Sequence, residues 1–268
     1  MTTNQHNSTG NYAPVNGINL YYEIHGAGEP LILLHGGFGT LEMFWALSPT
    51  LAQNHQVIGV DLYGHGRTAL TDRPFTFEHM ADDIAALIHH LGLAKADVFG
   101  YSLGGMVALQ TAIRHPELVN KLVLLSIPFK RSGWYPEVQI GMTSIAAEAF
   151  IETPVYDAYM KIAPRPDDFA RFVAAMRNAM SHDYDWTEDV SALKTPTLLI
   201  AGDSDSFPPS HAAAFFTLLG GGLQDAGWNG ENLLPSQLAI LPGATHYNIV
   251  YRADLLLPVL SPFLDNKQ

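Results

Sequence analysis

Asp97-Val98-Phe99-Gly100-Tyr101-Ser102-Leu103-Gly104-Gly105 is the stretch on which the reading of this chain turns. Residues 97–99 suit a buried strand, a serine follows with glycine two positions to either side, and a helical pattern runs over 103–115 until Pro116 stops it. Strand, turn and helix in so short a span force the serine into a sharp, strained bend that lifts its oxygen above the sheet. Gly100 and Gly104 then have a steric reason, because side chains there would collide with the neighbouring strand and helix. A serine hydroxyl is a poor nucleophile until a base removes its proton, so the stretch demands a histidine from elsewhere in the chain. The helix behind Ser102 adds a field that favours negative charge, and the backbone N–H of Leu103 is a natural donor to a developing oxyanion.

Working outward, residues 31–34, 57–60, 122–125, 197–201 and 237–241 are compact apolar runs bounded by Gly, Pro or Ser, and read as inner strands beside 97–99. Ile18–His25 follows the turn at Asn16-Gly17 and alternates like an exposed early strand. Between the strands lie helical patterns: Met80, Ile84, Leu87, Ile88 and Leu91 share a face, with Thr76 as N-cap and Gly92 as stop. The alternation gives an α/β class, a mostly parallel sheet with helices on both faces. Residues 128–193 break the rhythm. They hold Pro128, Pro136, Pro154, Pro164 and Pro166, and a helix whose Phe169, Phe172, Val173, Met176 and Met180 share a face. This segment reads as an inserted helical cap on a core made of 1–127 and 194–268. Residues 220–235, rich in Gly and Asn, read as a surface loop.

The other reacting groups should leave the same edge of the sheet as Ser102, where open α/β sheets bind ligands. After strand 31–34 comes His35-Gly36-Gly37-Phe38-Gly39, in which Gly37 is the second oxyanion donor and His35 braces the loop. His246, in Pro242-Gly243-Ala244-Thr245-His246-Tyr247, follows the last strand and is the general base. Strand 197–201 is followed by two carboxylates. Asp205 lies far enough beyond it to turn back towards His246 and orient the ring, which leaves Asp203 to brace the turn. Strand 122–125 runs into Ser126-Ile127-Pro128 and offers no carboxylate.

Composition narrows the function classes. The 268 residues, 47% hydrophobic, can bury a full core, and 14 basic against 26 acidic residues give a net charge of −12. That charge repels phosphate backbones and anionic bilayers, so neither nucleic acid nor membrane is an expected partner. No cysteine is present, which excludes disulfides and thiolate chemistry. The polar start of the chain lacks the apolar core of a signal peptide, and a cytoplasmic monomer or homodimer is expected. No His-x-His or His-x-x-Glu-His cluster occurs, so neither metal nor cofactor is called for.

At these residues the sequence resembles the α/β-hydrolase family, over about residues 16–264. The matching motifs are His35-Gly36-Gly37, Asp61-Leu62-Tyr63-Gly64-His65-Gly66-Arg67, Gly100 to Gly105, Gly202 to Asp205 and the loop of His246. The resemblance implies an eight-stranded sheet with a cap after the sixth strand, the chain order Ser102, Asp205, His246, and a structural role for Asp61 and His65. Family members with a short cap include small esterases, enol-lactonases, acyl-homoserine lactonases, carbon–carbon bond hydrolases and cofactor-free perhydrolases. Serine at the turn sets the chain apart from haloalkane dehalogenases and epoxide hydrolases, which carry aspartate there. The expected activity is hydrolysis of a small ester or lactone through an acyl-enzyme, with Phe38, Trp134, Tyr135 and Met142 lining an apolar pocket. The alternatives are a perhydrolase, a carbon–carbon bond hydrolase that uses Lys130, Arg131 or Arg165 for a substrate carboxylate, and a ligand-binding receptor with an idle triad.

Overall fold

Leu31-Ile32-Leu33-Leu34 is apolar at every position because both faces of its strand are covered. In the computed structural model, which describes residues 10–266, Ile32 and Leu34 pack with Met80, Ile84 and Leu87 on one side of a sheet. Leu31 and Leu33 pack with Phe44, Leu256 and Leu260 on the other. The strand is β3 (Glu29–Leu34). It joins β1 (Asn11–Val15), β2 (Ile18–His25), β4 (His55–Val60), β5 (Ala96–Tyr101), β6 (Val119–Leu125), β7 (Thr197–Ser204) and β8 (Gln237–Thr245). The eight strands are ordered β1-β2-β4-β3-β5-β6-β7-β8. Only β2 runs against its neighbours β1 and β4, and every pair from β4 to β8 is parallel. The α/β class and the mostly parallel eight-stranded sheet are as expected.

Helices α1 (Ser48–Leu51) and α9 (Ala253–Asp265) supply the second of these cores, while α2 (Phe77–His90) and α3 (Leu103–Arg114) supply the first. Thr76 caps α2 by accepting the His79 N–H, as its position in the sequence predicts. Between β6 and β7 stand α4 (Pro136–Ser144), α5 (Pro154–Ile162), α6 (Phe169–Ser181) and α7 (Thr187–Ala192), and α8 (Pro209–Leu218) follows β7. Residues 220–235 hold neither helix nor strand. Among the described residues no helix is long and apolar enough to cross a membrane. The polar start of the chain, apart from Gly10, lies outside the described residues.

Three expectations need correction. The run 237–241 is not an inner strand, because β8 pairs with β7 alone and forms an edge of the sheet. Ile18–His25 is not an exposed strand, for β1 and β4 flank it and Ile18, Leu20, Tyr21, Tyr22 and Glu23 are buried. β7 and β8 also run past the apolar runs read from the sequence, to Ser204 and Thr245, because the two pair with one another there. That extension shapes the site.

Candidate active site

The parallel register brings the carboxyl ends of the strands into line. Leu34 pairs with Gly100, Tyr101 with Leu125, and Leu125 with Ile200, so the turns that follow β3, β5, β6 and β7 leave together. A register shift between Gly202 and Ser204 sets Ser204 opposite Thr245. Asp205 and His246 directly follow these two strands, and so they emerge side by side. Gly202 permits the approach: a Cβ there would lie 2.1 Å from the Ala244 carbonyl oxygen.

Ser102 sits at φ +51, in the left-handed region that a non-glycine residue occupies only under constraint. The constraint is visible in its glycine neighbours. A Cβ on Gly100 would meet the Gly104 oxygen at 2.1 Å, and one on Gly104 would meet the Leu34 oxygen at 2.1 Å. The turn delivers Ser102 Oγ to within 3.0 Å of His246 Nε2, and His246 Nδ1 lies 2.9 Å from Asp205 Oδ1. With Nδ1 carrying the proton donated to aspartate, Nε2 is left as the acceptor for the serine proton.

Asp205 is buried among donors. Its Oδ1 also accepts the Ser206 N–H at 2.7 Å, and its Oδ2 accepts the Ser126 hydroxyl at 2.6 Å and the Gly202 N–H at 3.1 Å. Burial alone would raise its pKa, but the hydrogen bond and charge of His246, with Ser126 and Gly202, outweigh it and hold the carboxyl below its ordinary 3.8. Asp203 takes the bracing part read from the sequence, accepting the Gly243 N–H at 3.0 Å and so tying the turn after β7 to the strand that leads to His246.

Gly37 and Leu103 approach one another, with a Cβ on Gly37 falling 3.9 Å from that of Leu103. Leu103 opens α3, where a backbone N–H has no partner within the helix. The loop carrying Gly37 is braced from behind. His35 Nδ1 meets the Gly36 carbonyl at 2.8 Å and its Nε2 accepts the Leu62 N–H at 3.0 Å, while His65 Nε2 accepts the Phe38 N–H at 3.2 Å. Asp61 accepts the Leu41 and Arg67 N–H groups, each at 2.9 Å, a bracing arrangement like that expected of it.

Of the four residues expected to line the acyl pocket, two reach the site. Trp134 is buried with its ring centroid 5.6 Å from that of His246, and its Nε1–H donates to Tyr184. Phe38 follows Gly37 and packs its ring against Phe150 and Phe172 of the intervening segment, at 4.7 and 5.4 Å. Tyr135 is instead exposed, and Met142 packs behind Trp134 with Phe207 and Ala212.

Three residues were missed by the sequence reading. Met176, noted only as part of an apolar stripe, places its terminal methyl 2.8 Å from where a Gly37 Cβ would be. Tyr101, the residue before the serine, donates its hydroxyl to the His246 carbonyl at 2.6 Å. Ser126 was passed over because only a carboxylate was sought there. Its position at the end of a strand was the available signal.

Comparison with known proteins agrees with this architecture. A family model described as alpha/beta hydrolase fold matches residues 29–139. RutD of Azorhizobium caulinodans, provisionally named a carbamate hydrolase, is 32% identical over 80% of this chain and 87% of its own length. Among solved structures, E-2-(acetamidomethylene)succinate hydrolase matches with a TM-score of 0.75 at 21% identity, covering 97% of this chain and 100% of that one. The enol-lactonase of Burkholderia xenovorans LB400 gives 0.70 at 24% identity, covering 95% and 100%. The two structural matches bear on fold alone.

Proposed function

Because this chain belongs to the α/β-hydrolase family, we propose that it is a serine hydrolase that opens carboxylic esters or lactones with an uncharged, apolar acyl group. The observation that carries this reading is the unbroken line from Ser102 Oγ through the His246 ring to Asp205, at 3.0 and 2.9 Å. Ser102 attacks the carbonyl carbon as its proton passes to Nε2. The N–H groups of Gly37 and Leu103 hold the oxyanion, and Asp205 stabilises the imidazolium. Collapse breaks the bond to the leaving oxygen, which takes the proton from Nε2. Water, activated by the same nitrogen, then frees the acid from Ser102. With a lactone the leaving oxygen stays tethered, and the product is a hydroxy acid.

The preference for an uncharged acyl group rests on where the nearby cations are spent. Arg131 donates to the Met180 carbonyl, Arg165 donates to the Leu70 carbonyl and pairs with Asp168, and the Lys130 ammonium lies 5.4 Å from the Phe129 ring. These were the donors required for carbon–carbon bond hydrolysis of an anionic substrate, and their engagement argues against that alternative. The strained backbone at Ser102 and the aligned ring nitrogens favour turnover over a receptor with an idle triad.

The test is covalent. Treatment with an organophosphonate followed by intact-mass measurement should add one phosphonyl group to the wild type and none to Ser102→Ala. Rates on matched aryl esters, acyl lactones and aryl carbamates then rank the substrates, carbamates being included because of the name given to RutD. An unmodified wild type that turns over none of the three would sink the proposal.

A further inference from the structure

We infer that Ser126 is a positioning residue, whose hydroxyl fixes the Asp205 carboxylate in the orientation that presents one oxygen to His246. The inference rests on the role of Asp205 proposed above, but its test does not require a substrate.

Ser126 is fully buried at the end of β6, and its backbone N–H donates to the Ile200 carbonyl at 2.8 Å. The pairing places its side chain over the loop that follows β7. Asp205 makes four contacts, two on each oxygen. Oδ1 serves His246 and the Ser206 N–H, and Oδ2 serves the Ser126 hydroxyl and the Gly202 N–H. Both backbone donors lie within three residues of Asp205 in the chain, Gly202 in β7 and Ser206 directly after it. The hydroxyl of Ser126 comes from the residue after β6, 79 residues away in the chain, and is the donor that ties the carboxylate to the neighbouring strand rather than to its own. At 2.6 Å it is also the shortest of the four contacts, as a bond from a hydroxyl to an ionised acceptor should be.

The backbone makes the same point. Ser126 has φ +59, where glycine would be at ease and any side chain costs free energy. A serine is nonetheless held there, in a core position with no solvent to satisfy its hydroxyl, and Asp205 is the group it serves.

Removing the hydroxyl has a signed consequence. A carboxylate that loses a donor on Oδ2 holds protons more tightly and pulls harder on the imidazolium bonded to Oδ1. The other titratable groups facing the pair are Tyr101 from β5, whose hydroxyl is committed to the His246 carbonyl, and Tyr247, whose ring lies 5.5 Å from that of His246, with Tyr251 lying near Tyr101. Trp134, uncharged, packs against the histidine ring.

Ser126→Gly removes the hydroxyl and relieves the backbone, whereas Ser126→Ala removes the hydroxyl and keeps the strain. Thermal unfolding separates the two effects on folding. In both variants kcat/KM for an ester should fall about tenfold at unchanged KM, with the acid limb of its pH profile moved up by about half a pH unit. The Asp205 carboxyl, followed by carbon-13 NMR, should titrate at higher pH in both. If the carboxyl titrates as in the wild type in either variant, Ser126 supports only the fold, even where rate or melting temperature drops. Should the wild type turn over no ester, the function proposed above fails while the carboxyl titration still decides the part played by Ser126.

Discussion

The hydroxyl of Tyr101 donates to the backbone carbonyl of His246 at 2.6 Å, bridging 145 residues of chain. The residue immediately before Ser102 thus holds the loop that carries His246. Burial, with the nearby Asp205 charge, raises the Tyr101 pKa well above its ordinary 10.0, so the group remains a donor throughout any working range. Tyr101→Phe leaves a buried carbonyl without its partner and should cost about 1–3 kcal/mol of stability. Activity should fall several-fold through kcat. Paired thermal melts and ester kinetics measure both, and unchanged values in both would show that the loop is held by other contacts.

Asp205→Asn keeps the shape of the side chain but offers Nδ1 an amide in place of a charge. The histidine then loses both its fixed tautomer and the stabilisation of its cation, and turnover should drop by roughly 10⁴, less than on loss of Ser102. Because the native carboxyl lies below 3.8, its contribution to stability is present above that value and disappears as pH falls through the lower folded one. Acid melts of the variant should accordingly lose part of the wild-type slope in that window.

His35 and His65 are buried 4.9 Å apart behind the Gly37 loop, each with one ring nitrogen accepting a backbone N–H. Burial pushes both below the ordinary 6.5, His65 furthest, with the neighbouring His35 adding to its shift. The unfolded chain therefore binds protons that the folded one refuses. Stability should be fully present above 6.5 and decline as pH drops from there towards the lower folded values. The melting temperature followed down to about pH 5 should show this decline, and His65→Gln should flatten it. An equal slope in the variant would assign the effect to other groups.

Phe38 sits at φ +59 directly after Gly37, against the Phe150 and Phe172 rings and beside a cavity of about 20 Å³ that Tyr159 and Phe169 also line. That space is too small for more than one water-sized group. Phe38→Ala should enlarge it and shift the preference from acetyl towards hexanoyl esters by about tenfold. A chain-length profile identical to wild type would mean that the acyl group lies elsewhere.

Much of this site was legible in the sequence because its chemistry is written in short local strings. The glycines around Ser102, the apolar runs before each loop and the positions of Asp205 and His246 at strand ends all follow from sterics and period. What escaped was contact made at a distance. Nothing in residues 122–128 says that Ser126 reaches across to Asp205, since that depends on the register between β6 and β7. The extension of β7 and β8 to Ser204 and Thr245 was hidden for the same reason. Pairing with a neighbour sustained those strands after the apolar pattern had stopped. The exposure of Tyr135 and the packing of Met142 against Phe207 and Ala212 likewise depend on contacts between segments far apart in the chain.

The irregular stretch over 220–235 lies between Asp205 and His246 in the chain, with glycine at 220, 221, 222, 227 and 230 and Trp228 fully exposed. A protease that nicked it would leave Ser102 and Asp205 on one fragment and His246 on the other. The enzyme is thus divisible at a point where cutting breaks no strand or helix. Each piece alone should be silent, and their reunion would be reported by the reappearance of ester cleavage.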